Sequence, residues 1–223
     1  MKKTVLGLLL IISICGMAFS IEETWFAFGA NFGNYFETGS DLGDFYFGSA
    51  GINFNGYGFS DQKNIGLFFN YGLQFPITNN IEGNYQPNPI QGDFILGLGF
   101  RFSINDNFKF HFGIGPAINI CGFQEIADII DEKKTDNRFS LGIGADAGIK
   151  YDITDIVYVN FGVGLMYNFS GYSTVTATFN NGENTKQESS GWINNYSMFG
   201  IRPYIAIGFN YYQEKGKWGK PSN

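Results

Sequence analysis

No stretch of about 18 consecutive apolar residues occurs in the chain, so nothing in it reads as a membrane-crossing helix. Charge is scarce as well: Asp, Glu, Lys and Arg make up 15% of 223 residues, against roughly 25% in ordinary soluble domains. A disordered chain would be richer in charge and poorer in aromatics. One histidine, His111, and two cysteines, Cys15 and Cys121, supply neither a zinc site nor a disulfide framework, and no metal or cofactor is expected. What the sequence has in abundance is 31 Gly and 25 Phe. Glycines scattered throughout each cost about 1 kcal/mol relative to Ala inside a helix, which argues against a helical bundle. The length suits one domain.

Lys2 and Lys3, the apolar run 5–12 and the small residues up to Ala18-Phe19-Ser20 have the layout of a secretory signal. Cleavage is expected before Ile21. Cys15 is not expected to carry lipid, because Ile14 stands where a small residue is usual. Removing residues 1–20 takes away two of the 14 Lys+Arg and none of the 20 Asp+Glu, so the net charge moves from −6 to −8. Nucleic acid is therefore not an expected partner. Cleavage leaves Cys121 alone, so the exported chain has no internal disulfide.

The dominant signal is alternation with period two. Ile65, Leu67, Phe69, Tyr71, Leu73, Phe75 and Ile77 form one face of a segment whose other face holds Gly66, Phe68, Asn70, Gly72 and Gln74. The same pattern recurs over 94–104, 108–120, 139–151, 157–169 and 199–211, and less regularly over 24–36 and 45–59, where Gly56-Tyr57-Gly58 suggests a bulge. Short turns near 60–63, 105–107 and 152–155 alternate with longer polar connections at 37–44, 78–92, 122–138 and 171–195. That layout is a barrel with turns at one rim and loops at the other. Pro116 and Pro203 each remove a ladder donor and predict either local bulges or misplaced strand assignments.

Volume decides which face is outside. An eight-stranded barrel has an interior just wide enough for side chains to fill, and the apolar faces, rich in Phe, Ile and Leu, cannot all fit within it. The pairs Gly97/Gly99, Gly113/Gly115, Gly142/Gly144 and Gly162/Gly164 lie on the opposite face and suit a narrow lumen. The apolar face is therefore expected to meet lipid, where only a closed sheet satisfies every backbone amide. A soluble lipocalin-like carrier is the distant alternative.

Over 24–212 the chain resembles the small outer-membrane β-barrels, the type that includes outer-membrane proteins A, X and W. The resemblance implies an all-β fold: a closed antiparallel up-and-down transmembrane barrel of eight strands over 21–212, monomeric, with both termini in the periplasm and four loops outside. It also implies outer-membrane lipid and the barrel-assembly machinery as partners. Phe209-Asn210-Tyr211-Tyr212 resembles the aromatic ending that this machinery reads. The chain departs from that pattern in a basic tail, 213–223, with Lys215, Lys217 and Lys220, expected in the periplasm. No cell-wall-binding module is expected after the barrel.

On the lumen face the ionisable residues are Arg101, Lys109, His111, Asp146, Lys150 and Arg202, with Asp93 near the loop end. Their expected role is an internal charge network that plugs the bore, because an unpaired buried charge is costly; a charge-lined gate is the alternative. A hairpin centred on Asp106 sets Arg101 opposite His111 and Ser103 opposite Lys109. A barrel enzyme that edits lipid A would need its His near the outer leaflet, whereas His111 lies close to the turn rim, so no enzyme is expected. Gly142-Ile143-Gly144-Ala145-Asp146-Ala147 matches a dinucleotide fingerprint by letter, yet lies within one strand and lacks the helix the motif needs. In 122–138, Ile126, Ile129 and Ile130 at helical spacing, with Asp128, Asp131 and Glu132 around them, predict a short amphipathic helix in an extracellular loop, expected as a solvated lid packed on the rim, with a contact surface for a partner or a divalent cation as the alternative. The expected role is surface or envelope maintenance without a wide pore. Passage of small hydrophobic solutes and adhesion through the loops are the alternatives.

Overall fold

A computed structural model describes residues 23–38, 44–60, 64–81, 85–125, 132–179, 185–212 and 217–218. The expected signal, 1–20, lies outside the described residues. The strands are β1 (Glu23–Thr38), β2 (Phe45–Phe59), β3 (Ile65–Asn79), β4 (Tyr85–Pro87), β5 (Gln91–Ser103), β6 (Phe108–Glu125), β7 (Glu132–Asp152), β8 (Val157–Phe179), β9 (Thr185–Ile193), β10 (Ser197–Tyr212) and β11 (Lys217–Trp218). All pairings are antiparallel. The eight long strands β1, β2, β3, β5, β6, β7, β8 and β10 form a ring. It closes where β1 meets β10, from Glu23↔Tyr212 to Thr38↔Ser197.

Alternation fixes what each wall presents to its surroundings. Phe28 is 60% exposed and Ile77 68%, while Asn53, Asp146 and Lys150 are 0% exposed. A soluble domain has the reverse arrangement. Here the apolar side chains coat the outside, as a sheet closed in hydrocarbon requires.

Local chemistry makes the short turns. Asn105 Oδ1 accepts hydrogen bonds from the Asn107 and Phe108 amides at 3.0 and 2.8 Å. Thr154 Oγ1 accepts from Ile156 and Val157 at 3.2 and 2.9 Å. Both side chains stand in for a backbone acceptor, which is why Asn and Thr suit such turns. At the opposite rim Asn195 takes a left-handed φ of 55° between β9 and β10, a conformation Asn tolerates better than most residues.

Several expectations are corrected. Two of the long connections, 122–138 and 171–195, are mostly strand: β7 and β8 run for 21 and 23 residues, well beyond the 9 to 11 or so that cross a bilayer. Their excess lies at the long-loop rim, where β4, β6, β7, β8 and β9 continue as a sheet standing on the barrel. The helix expected within 122–138 falls on residues that lie outside the described ones; on either side of them the chain is strand, pairing Cys121↔Arg138 through Gln124↔Thr135. Ile126, Asp128, Ile129, Ile130 and Asp131 lie outside the described residues, and Glu132 opens β7. No bulge occurs at Gly56–Gly58: β2 keeps its phase there, with Tyr57 and Phe59 inside. The register shifts instead at Gly48/Ser49 and at Leu141/Gly142.

Neither proline makes a bulge. Pro116 pairs with Ile143 of β7, while the β5 ladder skips from Ile95↔Ala117 to Leu98↔Ile114 without changing register. Pro203 likewise pairs with Val163 of β8, and the β1 ladder skips from Asn31↔Tyr204 to Asn34↔Ile201. Each ring faces the neighbour whose ladder bond it cannot make. Of the tail 213–223, the described part is β11, which folds back on Tyr211 and Tyr212.

Candidate functional site

The lumen gathers buried charge in three layers. At the short-turn rim, Glu23 of β1 accepts from Trp25 Nε1 at 2.6 Å, from Tyr212 Oη at 3.0 Å and from Arg101, with Lys109 Nζ 3.5 Å away. Asp152 pairs with Lys150 and accepts from Asn210 Nδ2 at 3.0 Å, and Lys109 lies 3.6 Å from it. The cations also cover aromatic faces. Lys150 Nζ is 4.6 Å from the Trp25 and Tyr158 ring centres, and Arg101 is 4.8 Å from Phe59. Such contacts strengthen where water is excluded.

In the middle layer Asp146 accepts from Tyr57 Oη at 2.5 Å, Asn70 Nδ2 at 2.6 Å and Tyr204 Oη at 3.1 Å. His111 Nδ1 lies 3.5 Å from the same carboxylate, and its Nε2 is 2.8 Å from Asn160 Oδ1. Arg202 pairs with Asp93 and Asn70, and Tyr35 donates to Asp93 at 2.6 Å. At the long-loop mouth Arg138 pairs with Glu37 and, at 2.7 Å, with Asp136. Tyr196 Oη donates to Glu37 at 3.2 Å and Ser173 Oγ to Asp136 at 2.6 Å. The Arg138 guanidinium stands 5.0 Å from the Phe123 ring centre.

Arg101, Lys109, His111, Asp146, Lys150 and Arg202 are all buried inside the ring. The register sets Arg101 opposite His111 and Ser103 opposite Lys109. Sequence reasoning missed Glu23, Glu37, Asp136, Arg138 and Asp152. The signal was parity carried further: Asp136 and Arg138 share the phase of Ser140, and Glu23 that of Trp25, but the strands were read too short to include them.

The bore is also less hydrophilic than its glycines suggest, because those glycines are sockets. A methyl group added at Gly113 would lie 2.6 Å from the Phe68 ring, and one at Gly144 would lie 2.8 Å from Ile95. Gly99 receives Tyr57, Gly162 receives Tyr204, and Gly200 receives Tyr35. Large side chains from neighbouring or facing strands thus occupy the room that Gly leaves. Trp25, Tyr35, Phe47, Tyr57, Phe68, Phe123 and Tyr158 are all buried there. Beside Tyr35, Asp93 and Arg202 a void of about 10 Å³ remains, near the smallest volume that holds one water.

The arrangement holds paired charge in a buried interior. His111 and Asp146 face Asn and Tyr rather than a serine or thiol nucleophile, and Cys121 lies buried nearer the mouth. Among the described residues no group of three or more His, Cys, Asp or Glu is placed to hold a metal ion. On the outer wall, Ile114, Ile143, Leu165, Tyr167 and Phe199 frame an apolar hollow of about 160 Å³ over Gly144 and Ala145.

A family model described as outer membrane protein β-barrel domain matches residues 6–189. Among curated proteins, none matches the sequence. Solved structures with a similar fold include a major outer membrane protein of Thermus thermophilus, at 12% identity and TM-score 0.52, covering 83% of this chain and 99% of that one. The attachment invasion locus protein Ail of Yersinia pestis is similar at 10% identity and TM-score 0.50, with 86% and 99% covered. The outer membrane protein OprG of Pseudomonas aeruginosa is similar at 11% identity and TM-score 0.50, with 86% and 97% covered. At such identities the likeness is one of fold.

Proposed function

Because the chain belongs to the outer-membrane β-barrel family, we propose that it maintains the surface of the outer membrane as a closed, monomeric barrel without catalytic activity. In this reading a signal over 1–20 directs export, and the assembly machinery inserts the barrel. The short turns and both ends of the ring then lie in the periplasm, with the long hairpins outside. The observation that carries it is the filled bore. Three layers of paired charge and the aromatic side chains seated on glycines occupy the bore among the described residues, and a barrel of this size is suited to such filling. Its work then lies in its walls and its external hairpins. The test is deletion from the producing cell, followed by release of periplasmic protein and entry of a hydrophobic dye. An increase in both, reversed by the wild-type chain, supports envelope maintenance; an unchanged envelope contradicts it.

The apolar hollow on the outer wall favours a second reading, in which a small hydrophobic solute rests there. Partition of a fluorescent apolar probe into detergent-solubilised barrel, lost in Ala145→Phe, would support that reading. Equal partition in both proteins would dismiss it.

A further inference from the structure

Above the barrel, β9 is an edge. Among the described residues it pairs with β8 alone, and Lys186 through Trp192 are exposed. Tyr172 and Trp192, in edge contact at 5.4 Å between ring centres, mark the interfacial level where such rings settle. Lys186 to Ser190 stand beyond it. An edge strand presents unpaired backbone N–H and C=O groups to any extended chain that approaches.

The sequence of this edge selects one partner. Lys186 pairs across to Thr178 and Glu188 to Thr176, so the two charges share one face of the sheet. Neither has an ion-pair partner among the described residues. Set a second β9 antiparallel to the first, related by a two-fold axis through Gln187. Lys186 then faces Glu188 of the second copy, and Glu188 faces its Lys186, giving two opposite-charge pairs on the same face. The nearest registers that keep this face in phase place Lys186 on Lys186 or Glu188 on Glu188, and like charges directly opposite are destabilising. Ser189, Ser190 and Gly191 add no bulk.

We propose that β9 is a homophilic docking strand, pairing antiparallel with β9 of a second copy in the register centred on Gln187. β9 runs from its outer end at Thr185 toward its own membrane at Ile193, so an antiparallel copy comes from a facing membrane, and the contact joins two cells. This rests on the reading that places the long hairpins outside.

The test uses the full chain in phosphatidylcholine vesicles carrying either of two dyes, with clustering followed by energy transfer between them. A nonspecific protease applied to intact cells first reports whether β9 is external. Wild-type vesicles should cluster with each other and not with protein-free vesicles. K186E and E188K, which each create two like-charge pairs, should cluster with themselves roughly tenfold less. Mixing K186E vesicles with E188K vesicles should restore clustering, as should the double variant with itself. Single variants that cluster like wild type, a mixture that stays dispersed, or wild-type vesicles that bind bare lipid would each overturn the pairing. External β9 with no clustering overturns the pairing and leaves the orientation standing. A protease-protected β9 overturns the orientation and the proposal with it.

Discussion

Asp146 has no exposed surface and is surrounded by Tyr57, Asn70, Tyr204 and His111. Removing its carboxylate strands two phenols and an amide in a buried interior. Breaking a buried charged network in this way costs about 3 to 5 kcal/mol, so Asp146→Ala should lower the thermal unfolding midpoint in detergent micelles while leaving ion conductance at the wild-type level. A conductance rise would instead mark the residue as a gate. Gly113 tests the sockets in the same spirit. Gly113→Val meets the Phe68 ring and should cost about 1 to 3 kcal/mol, the range for overpacking a filled core. Phe68→Ala in the same chain should recover part of that loss, because contacting sites couple. Additive losses in a denaturant titration would show that the two do not touch. At this scale the sequence was legible by parity alone: once one residue of a strand is placed inside, every second residue follows. Tyr57 imitates a break in phase because it is a large aromatic among glycines, when it is Gly99 of β5 that receives it.

Each ring strand must present an apolar stripe to lipid along its middle. Ile114 lies on the outer wall of β6, 46% exposed and paired with Leu98 and Ala145. Arg at mid-bilayer on such a wall costs about 2 to 4 kcal/mol. Ile114→Arg should therefore reduce the fraction of chain that folds into lipid vesicles, read as loss of the heat-modifiable band. Ser103→Thr, near the turn rim, should leave that fraction unchanged. Equal tolerance would place the wrong face outside. The alternation that fixes the faces was plain within the lipid, where one side of every strand must be apolar. Beyond the lipid that constraint lapses. Polar strands such as 171–179 and 185–193 then look like loops.

The whole molecule combines a closed hydrogen-bonded ring, an apolar exterior and a bore lined, among the described residues, by paired charges and buried aromatic side chains. Closure was legible from the alternating lengths of the connections. The density of the filling was not, because it depends on which side chains from separate strands meet across the lumen: Arg202 on Gly72, Ile95 on Gly144, Glu37 on Arg138. Those pairings follow from strand stagger, which one sequence does not display. The measurement that bears most directly on the filled bore is single-channel recording of the full chain in a planar bilayer. Insertion without stable current steps, in wild type and in Asp146→Ala alike, is the predicted result. Steady steps of the size that open porins give would contradict it.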